Sequence, residues 1–133
     1  MTAASFTRRQ RATEANLPAL IGAIEDWLEQ AGVPPADVAR LMIAFDEVLS
    51  NITHHGGGTL DLAITSDAGA VTAVIADDGP PFDPLALPAP DTSLGIDERA
   101  VGGLGIHLVR EMMDEVRYAY DHGRNMLTFR KTF

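Results

Sequence analysis

The chain has 133 residues, 46% of them hydrophobic and 22% charged, a balance that fits one globular domain with a single core. Its formal net charge of −9 argues against general binding to nucleic acid or anionic membranes, and the lack of cysteine excludes disulfides, thiolate metal sites and cysteine nucleophiles. No apolar run reaches membrane-spanning length, so a single cytoplasmic domain over residues 1–133 is expected.

Ser5–Arg11 can alternate as an edge strand. Arg8, Arg9 and Arg11 cluster there, a basic patch suited to solvent or to an acidic protein partner. Placed before Leu17–Ile24 they faintly resemble a signal peptide, but Glu25 and Asp26 cut the apolar run short. From about Glu14 to Ala31, Leu17, Leu20, Ile21, Ile24 and Leu28 recur at helical spacing, and Gly32 with Pro34-Pro35 stops the run. A second helix starts near Pro35–Asp37 and runs through Val38, Leu41, Met42, Phe45 and Leu49 until Gly56-Gly57-Gly58. Thr59–Thr65 and Val71–Ala76 read as a hairpin joined by Ser66-Asp67-Ala68-Gly69.

Between Gly79 and Gly102 the chain is proline-rich and aperiodic, which suggests a functional lid over residues 80–102. Leu104–Glu115 is helical again through Ile106, Leu108, Val109, Met112 and Met113. Strands at Val116–Tyr120 and Met126–Phe133 follow, joined across Asp121-His122-Gly123-Arg124. This order predicts an α+β two-layer sandwich, with helices on one face of a mostly antiparallel or mixed sheet.

Three segments carry the chemistry. Glu47 and Asn51 lie four apart on a helix, about 6 Å along its axis, so both can reach one ligand, and His54 extends their stripe. A carboxamide oxygen is a hard ligand for Mg²⁺, and the carboxylate beside it can hold a water or take a proton. Asp77-Asp78-Gly79 puts an acid at a strand end, where a buried Asp can select adenine through its exocyclic amine. Gly102-Gly103-Leu104-Gly105 opens a helix, and free amides there suit phosphate oxygens without a lysine. Taken singly, each segment has a plainer explanation: a solvated helix face, an Asp-Gly turn and a flexible joint. For His54-His55, a helix-end role is the plainer alternative to a metal pair. No nucleophile elbow with a Ser-His-Asp set supports hydrolase chemistry.

Together these segments resemble the GHKL ATPase superfamily, which has the Bergerat ATP-binding fold, and within it the bacterial anti-sigma factor serine/threonine kinases. Phe45-Asp46-Glu47-Val48-Leu49-Ser50-Asn51-Ile52-Thr53-His54 is similar to the family's N box. The resemblance implies Glu47 as general base, Asn51 as Mg²⁺ ligand and His54 beside the nucleotide. Asp77-Asp78-Gly79-Pro80-Pro81-Phe82 is similar to the G1 box, which implies Asp77 on the adenine amine and Gly79 lining its pocket, with Pro81 in place of the family's second glycine. Gly102, Gly103, Leu104 and Gly105 resemble the next glycine box, at the phosphate end of the lid, and Thr128 would lie near adenine. What the resemblance implies is an ATP- and Mg²⁺-dependent kinase acting on a serine or threonine of an anti-sigma-factor antagonist. It would regulate a sigma factor and work as a homodimer that uses the N-terminal strand region. The alternative is a non-catalytic nucleotide-binding switch that sequesters a regulatory protein.

Overall fold

A computed structural model describes residues 4–55, 58–86 and 103–133. Strand β1 (Ala4–Arg11) leads to helices α1 (Leu17–Gln30) and α2 (Pro35–His55). Strands β2 (Thr59–Asp67) and β3 (Ala70–Asp77) follow, then a single 3₁₀ turn at Pro84–Ala86. Helix α3 (Gly103–Met112) and strands β4 (Glu115–Asp121) and β5 (Arg124–Thr132) complete the domain. Apart from Pro80–Ala86, the expected lid lies outside the described residues, as does Gly102.

The strands form one five-stranded sheet in the order β1-β2-β3-β5-β4, and every pairing in it is antiparallel. Both hairpins turn on two residues with positive φ, Ala68 and Gly69 in one and His122 and Gly123 in the other, the geometry that matches the right-handed twist of the flanking strands. Because side chains alternate along a strand, one face of the sheet carries Leu60, Leu62 and Ile64 from β2, Val71, Ala73 and Ile75 from β3, and Leu127 and Phe129 from β5, all buried. Two of the helices cover this face with their own apolar stripes, Leu20, Ile24 and Leu28 on α1 and Leu41, Phe45, Val48 and Leu49 on α2. Phe45 meets Phe129 edge-on, ring centres 4.9 Å apart, which joins helix layer to sheet at the centre of the core.

Two observations about register matter for the site. Asp77, the last residue of β3, pairs with Leu60 on one side and with Asn125 on the other. Asp77 and Asn125 therefore project together from the helix-facing side of the sheet, and they are the two buried polar side chains among the described residues. No described helix is long and apolar enough to cross a membrane.

Candidate functional site

The end of α2, the end of β3 and the start of β5 line a cleft. Val48, Ile52, Ile75 and Leu127 give it apolar walls, and Asn51, Asp77 and Asn125 give it polar groups. Pro80, Phe82 and Pro84 form one side of its mouth with His55 and Tyr118. An apolar slot with a few convergent polar groups is the usual form of a small-ligand site.

Asp77 is 6% exposed. Its Oδ1 accepts from the Gly79 N–H at 3.0 Å and from Asn125 Nδ2 at 3.1 Å. Burial pushes its carboxyl above the usual value; the Gly79 and Asn125 hydrogen bonds and the Arg124 charge oppose the rise, and the Asp78 charge adds to it. The neighbouring Asp78 faces away and does different work. Its Oδ1 accepts from the Thr59 N–H at 2.7 Å, and its N–H donates to the Thr59 carbonyl at 3.3 Å. Gly58, at φ +77°, passes so close that an added Cβ would lie 2.0 Å from Asp78 Oδ1. In the Asp-Asp pair, one carboxylate thus lines the cleft while the other pins the segment that follows α2 to the end of β3.

Asn51 lines the cleft from α2, and Glu47 lies one turn before it, half-buried. Glu47 Oε1 is a buried oxygen without a hydrogen-bond partner among the described residues. Desolvation first, and the Asp46 charge second, raise the Glu47 pKa, with the Asn51 side chain opposing. A raised carboxyl with an unpartnered oxygen is suited to taking a proton or holding a water. The two donors also fit a Mg²⁺ ion, which binds through one or two protein oxygens and completes its shell with waters and phosphates.

Several residues fall elsewhere than the sequence reading expects. His54 turns to the surface, where Nε2 lies 3.3 Å from Glu14 Oε1, and its neighbour His55 is the histidine at the cleft, stacked on Phe82 with ring centres 4.4 Å apart. Thr128 is not in the cleft. The inward positions of β5 are 125, 127 and 129, so Thr128 projects from the opposite face of the sheet, beside Thr72 and Arg117. Gly79 is buried and donates to Asp77; Gly103, Leu104 and Gly105 form the first turn of α3.

Sequence reasoning missed Asn125, Tyr118 and Phe82. The available signal was a polar residue on the inward phase of an otherwise apolar strand, but Met126 next to it makes the phase of β5 ambiguous. Asn125 Oδ1 accepts from the Phe82 N–H at 2.9 Å and from the Tyr118 hydroxyl, while Nδ2 reaches the Pro80 carbonyl at 2.9 Å and the Gly79 carbonyl at 3.3 Å. Burial, with the Asp83 and Asp77 charges, raises the Tyr118 pKa, so its phenol stays a donor. Arg110 from α3 donates to the Leu85 carbonyl at 3.1 Å, a second tie on the same loop.

Residues 10–131 match the family described as histidine kinase-like ATPase domain. The chain is 30% identical over 111 residues to the serine/threonine-protein kinase BtrW of Bordetella bronchiseptica, an alignment that covers 77% of this chain and 78% of that protein. It is 31% identical over 94 residues to the serine-protein kinase RsbW of Halalkalibacterium halodurans, covering 65% of this chain and 58% of the relative. In fold it resembles the crystal structure of the RsbU and RsbW domains of Rv1364c from Mycobacterium tuberculosis, with a TM-score of 0.67 at 18% identity over 97% of this chain. The chain spans about a third of that longer protein.

Proposed function

We propose that this chain, which belongs to the histidine kinase-like ATPase domain family, binds ATP with Mg²⁺ and transfers the γ-phosphate to a serine or threonine of a small anti-sigma-factor antagonist. The observation that carries this reading is the cleft itself, lined by buried Asp77 and half-buried Asn51, with a half-buried Glu47 that has an unpartnered oxygen one helical turn before Asn51. Adenine would enter the apolar slot and donate its exocyclic amine to Asp77, with Gly79 against the ring. Asn51 would hold Mg²⁺ together with the nucleotide phosphates, and the α3 amides beginning at Gly103 would face phosphate oxygens. Bound there, Mg²⁺ would neutralise charge on the phosphate oxygens during transfer.

Phosphoryl transfer depends mainly on positioning and on charge stabilisation. As the acceptor hydroxyl oxygen bonds to the γ-phosphorus and the bridge to the β-phosphate breaks, Glu47 would take the hydroxyl proton, and ADP would leave. The raised Glu47 pKa favours that role, because a carboxylate closer to neutral pH is a stronger base. His54 and Thr128 have no part in the proposed site. A cytoplasmic homodimer regulating a sigma factor through its antagonist is the setting that the sequence resemblance to the anti-sigma factor kinases implies.

The test is incubation of the purified chain with γ-labelled ATP, Mg²⁺ and candidate antagonists, beside Glu47→Gln. Label should pass to the antagonist with wild type, and the variant should bind ATP while transferring about 10²- to 10⁴-fold more slowly. Tight ATP binding without transfer to any antagonist would instead assign the chain as a non-catalytic switch.

A further inference from the structure

Asn125 is a buried side chain whose hydrogen-bonding capacity is fully used, and all of it serves the end of β3 and the loop that follows. A carboxamide has two N–H donors and one oxygen that accepts two bonds. Here the oxygen faces two donors, the Phe82 N–H and the Tyr118 hydroxyl. The nitrogen faces three acceptors, Asp77 Oδ1, the Gly79 carbonyl and the Pro80 carbonyl. Rotating the amide by half a turn would place its oxygen against three oxygens and its nitrogen against two donors, so the network permits one orientation.

That orientation has a consequence for Asp77. Both hydrogen bonds to its carboxylate, from Gly79 and Asn125, fall on Oδ1. The carboxylate is thereby fixed in rotation, and Oδ2 is left for a ligand in the cleft. An oxygen with no proton of its own accepts from the 6-amino group of adenine and repels the 6-oxo group of hypoxanthine or guanine. Without the Asn125 donor the carboxyl could rotate, or could keep a proton and donate it to a 6-oxo group.

We propose that Asn125, held by Tyr118, is a positioning residue that sets base specificity: by fixing Asp77 as a pure acceptor it makes the cleft select 6-amino over 6-oxo purine nucleotides. The inference rests on the nucleotide-binding reading above. Asn125 does not touch the reacting phosphate, so its effect falls on nucleotide affinity and choice rather than on transfer.

The experiment is calorimetric titration of the full chain with ATP and with ITP, which differ at the purine 6-position. Wild type should prefer ATP by about tenfold or more, the effect of one polar group left unpaired in a buried site. Asn125→Asp sets a second carboxyl against Asp77 and the two carbonyls, so the pair must hold a proton; ATP affinity should fall about tenfold while ITP affinity changes little, and the preference collapses. Tyr118→Phe removes one donor to the amide oxygen, leaves the core intact, and should lower the ATP-to-ITP ratio about threefold. Equal losses for both nucleotides in the variants, or an unchanged ratio, would overturn the role of Asn125 while the nucleotide reading stands. Wild type binding ATP and ITP equally would refute the selectivity, and wild type binding neither would refute the nucleotide reading along with it.

Discussion

Gly58→Ala is a small change whose cost can be worked from two contacts. At φ +77° an L-residue is strained, by about 1 kcal/mol. The new Cβ would also lie 2.0 Å from Asp78 Oδ1, so the carboxylate must move and release the Thr59 N–H it now holds at 2.7 Å. A hydrogen bond to a charged acceptor contributes about 1.5–3 kcal/mol, which brings the total to about 3 kcal/mol. At about 2.1 cal/mol/K per residue, the unfolding entropy of 133 residues is about 0.28 kcal/mol/K, so the melting midpoint should fall by about 10 °C. The clash with Asp78 is tested by a double-mutant cycle in thermal or urea unfolding. Asp78→Ala alone loses the hydrogen bond, about 2 kcal/mol, and adding Gly58→Ala to it should cost only the backbone strain. The two changes should therefore fall short of additivity by about 2 kcal/mol. Additivity within about 0.5 kcal/mol, or a midpoint shift under about 3 °C for Gly58→Ala, would refute the contact as the source of the cost.

Asp77→Ala should weaken ATP binding at least about tenfold by calorimetry, because the buried acceptor for the exocyclic amine is lost. Turnover should show an acid limb centred above the ordinary carboxylate value of 4.5, since Glu47 must be deprotonated to act and its pKa is raised; a limb at or below that value in a kcat profile would count against Glu47 as base. Asp114 behaves in the opposite sense. The Thr132 backbone N–H and hydroxyl bond its Oδ2 at 2.6 and 2.7 Å and depress its pKa. Its stabilising effect is thus present above its unfolded pKa and is lost as pH falls through the depressed folded value. Asp114→Ala should lower the melting midpoint near neutral pH, with the gap from wild type closing as the pH falls below the ordinary carboxylate range.

The helices and strands were legible because their apolar periods are unbroken: α1 shows Leu20, Ile24 and Leu28, and β2 shows Leu60, Leu62 and Ile64, at the spacings that the core uses. The sequence also led correctly to an α+β sheet covered on one face by helices. The details of the cleft were less legible, for two physical reasons. In β5 the buried polar residue is Asn125 and the apolar Met126 lies on the other face, so hydrophobicity alone does not single out Asn125, while Thr128, which the family resemblance put near adenine, alternates to the opposite face from Leu127 and Phe129. At the end of α2, His54 and His55 differ by one position, and what separates them is Phe82, a partner 27 residues further along that local pattern cannot supply. Asp77 and Asp78 were divided by strand register, which sends the first toward the helices and the second toward Gly58.

The sheet order has a bearing on synthesis. Strand β3, which ends in Asp77, gains its second neighbour only when β5 arrives, and β5 brings Asn125 and Leu127 to the cleft from the last tenth of the chain. During translation the first three strands and two helices can gather before β5 has left the ribosome, but the cleft then lacks one wall and the inner edge of β3 is bare. Nucleotide capture by a nascent chain would therefore mark the docking of β5, and the ligand would stabilise the finished fold over its partly made precursors.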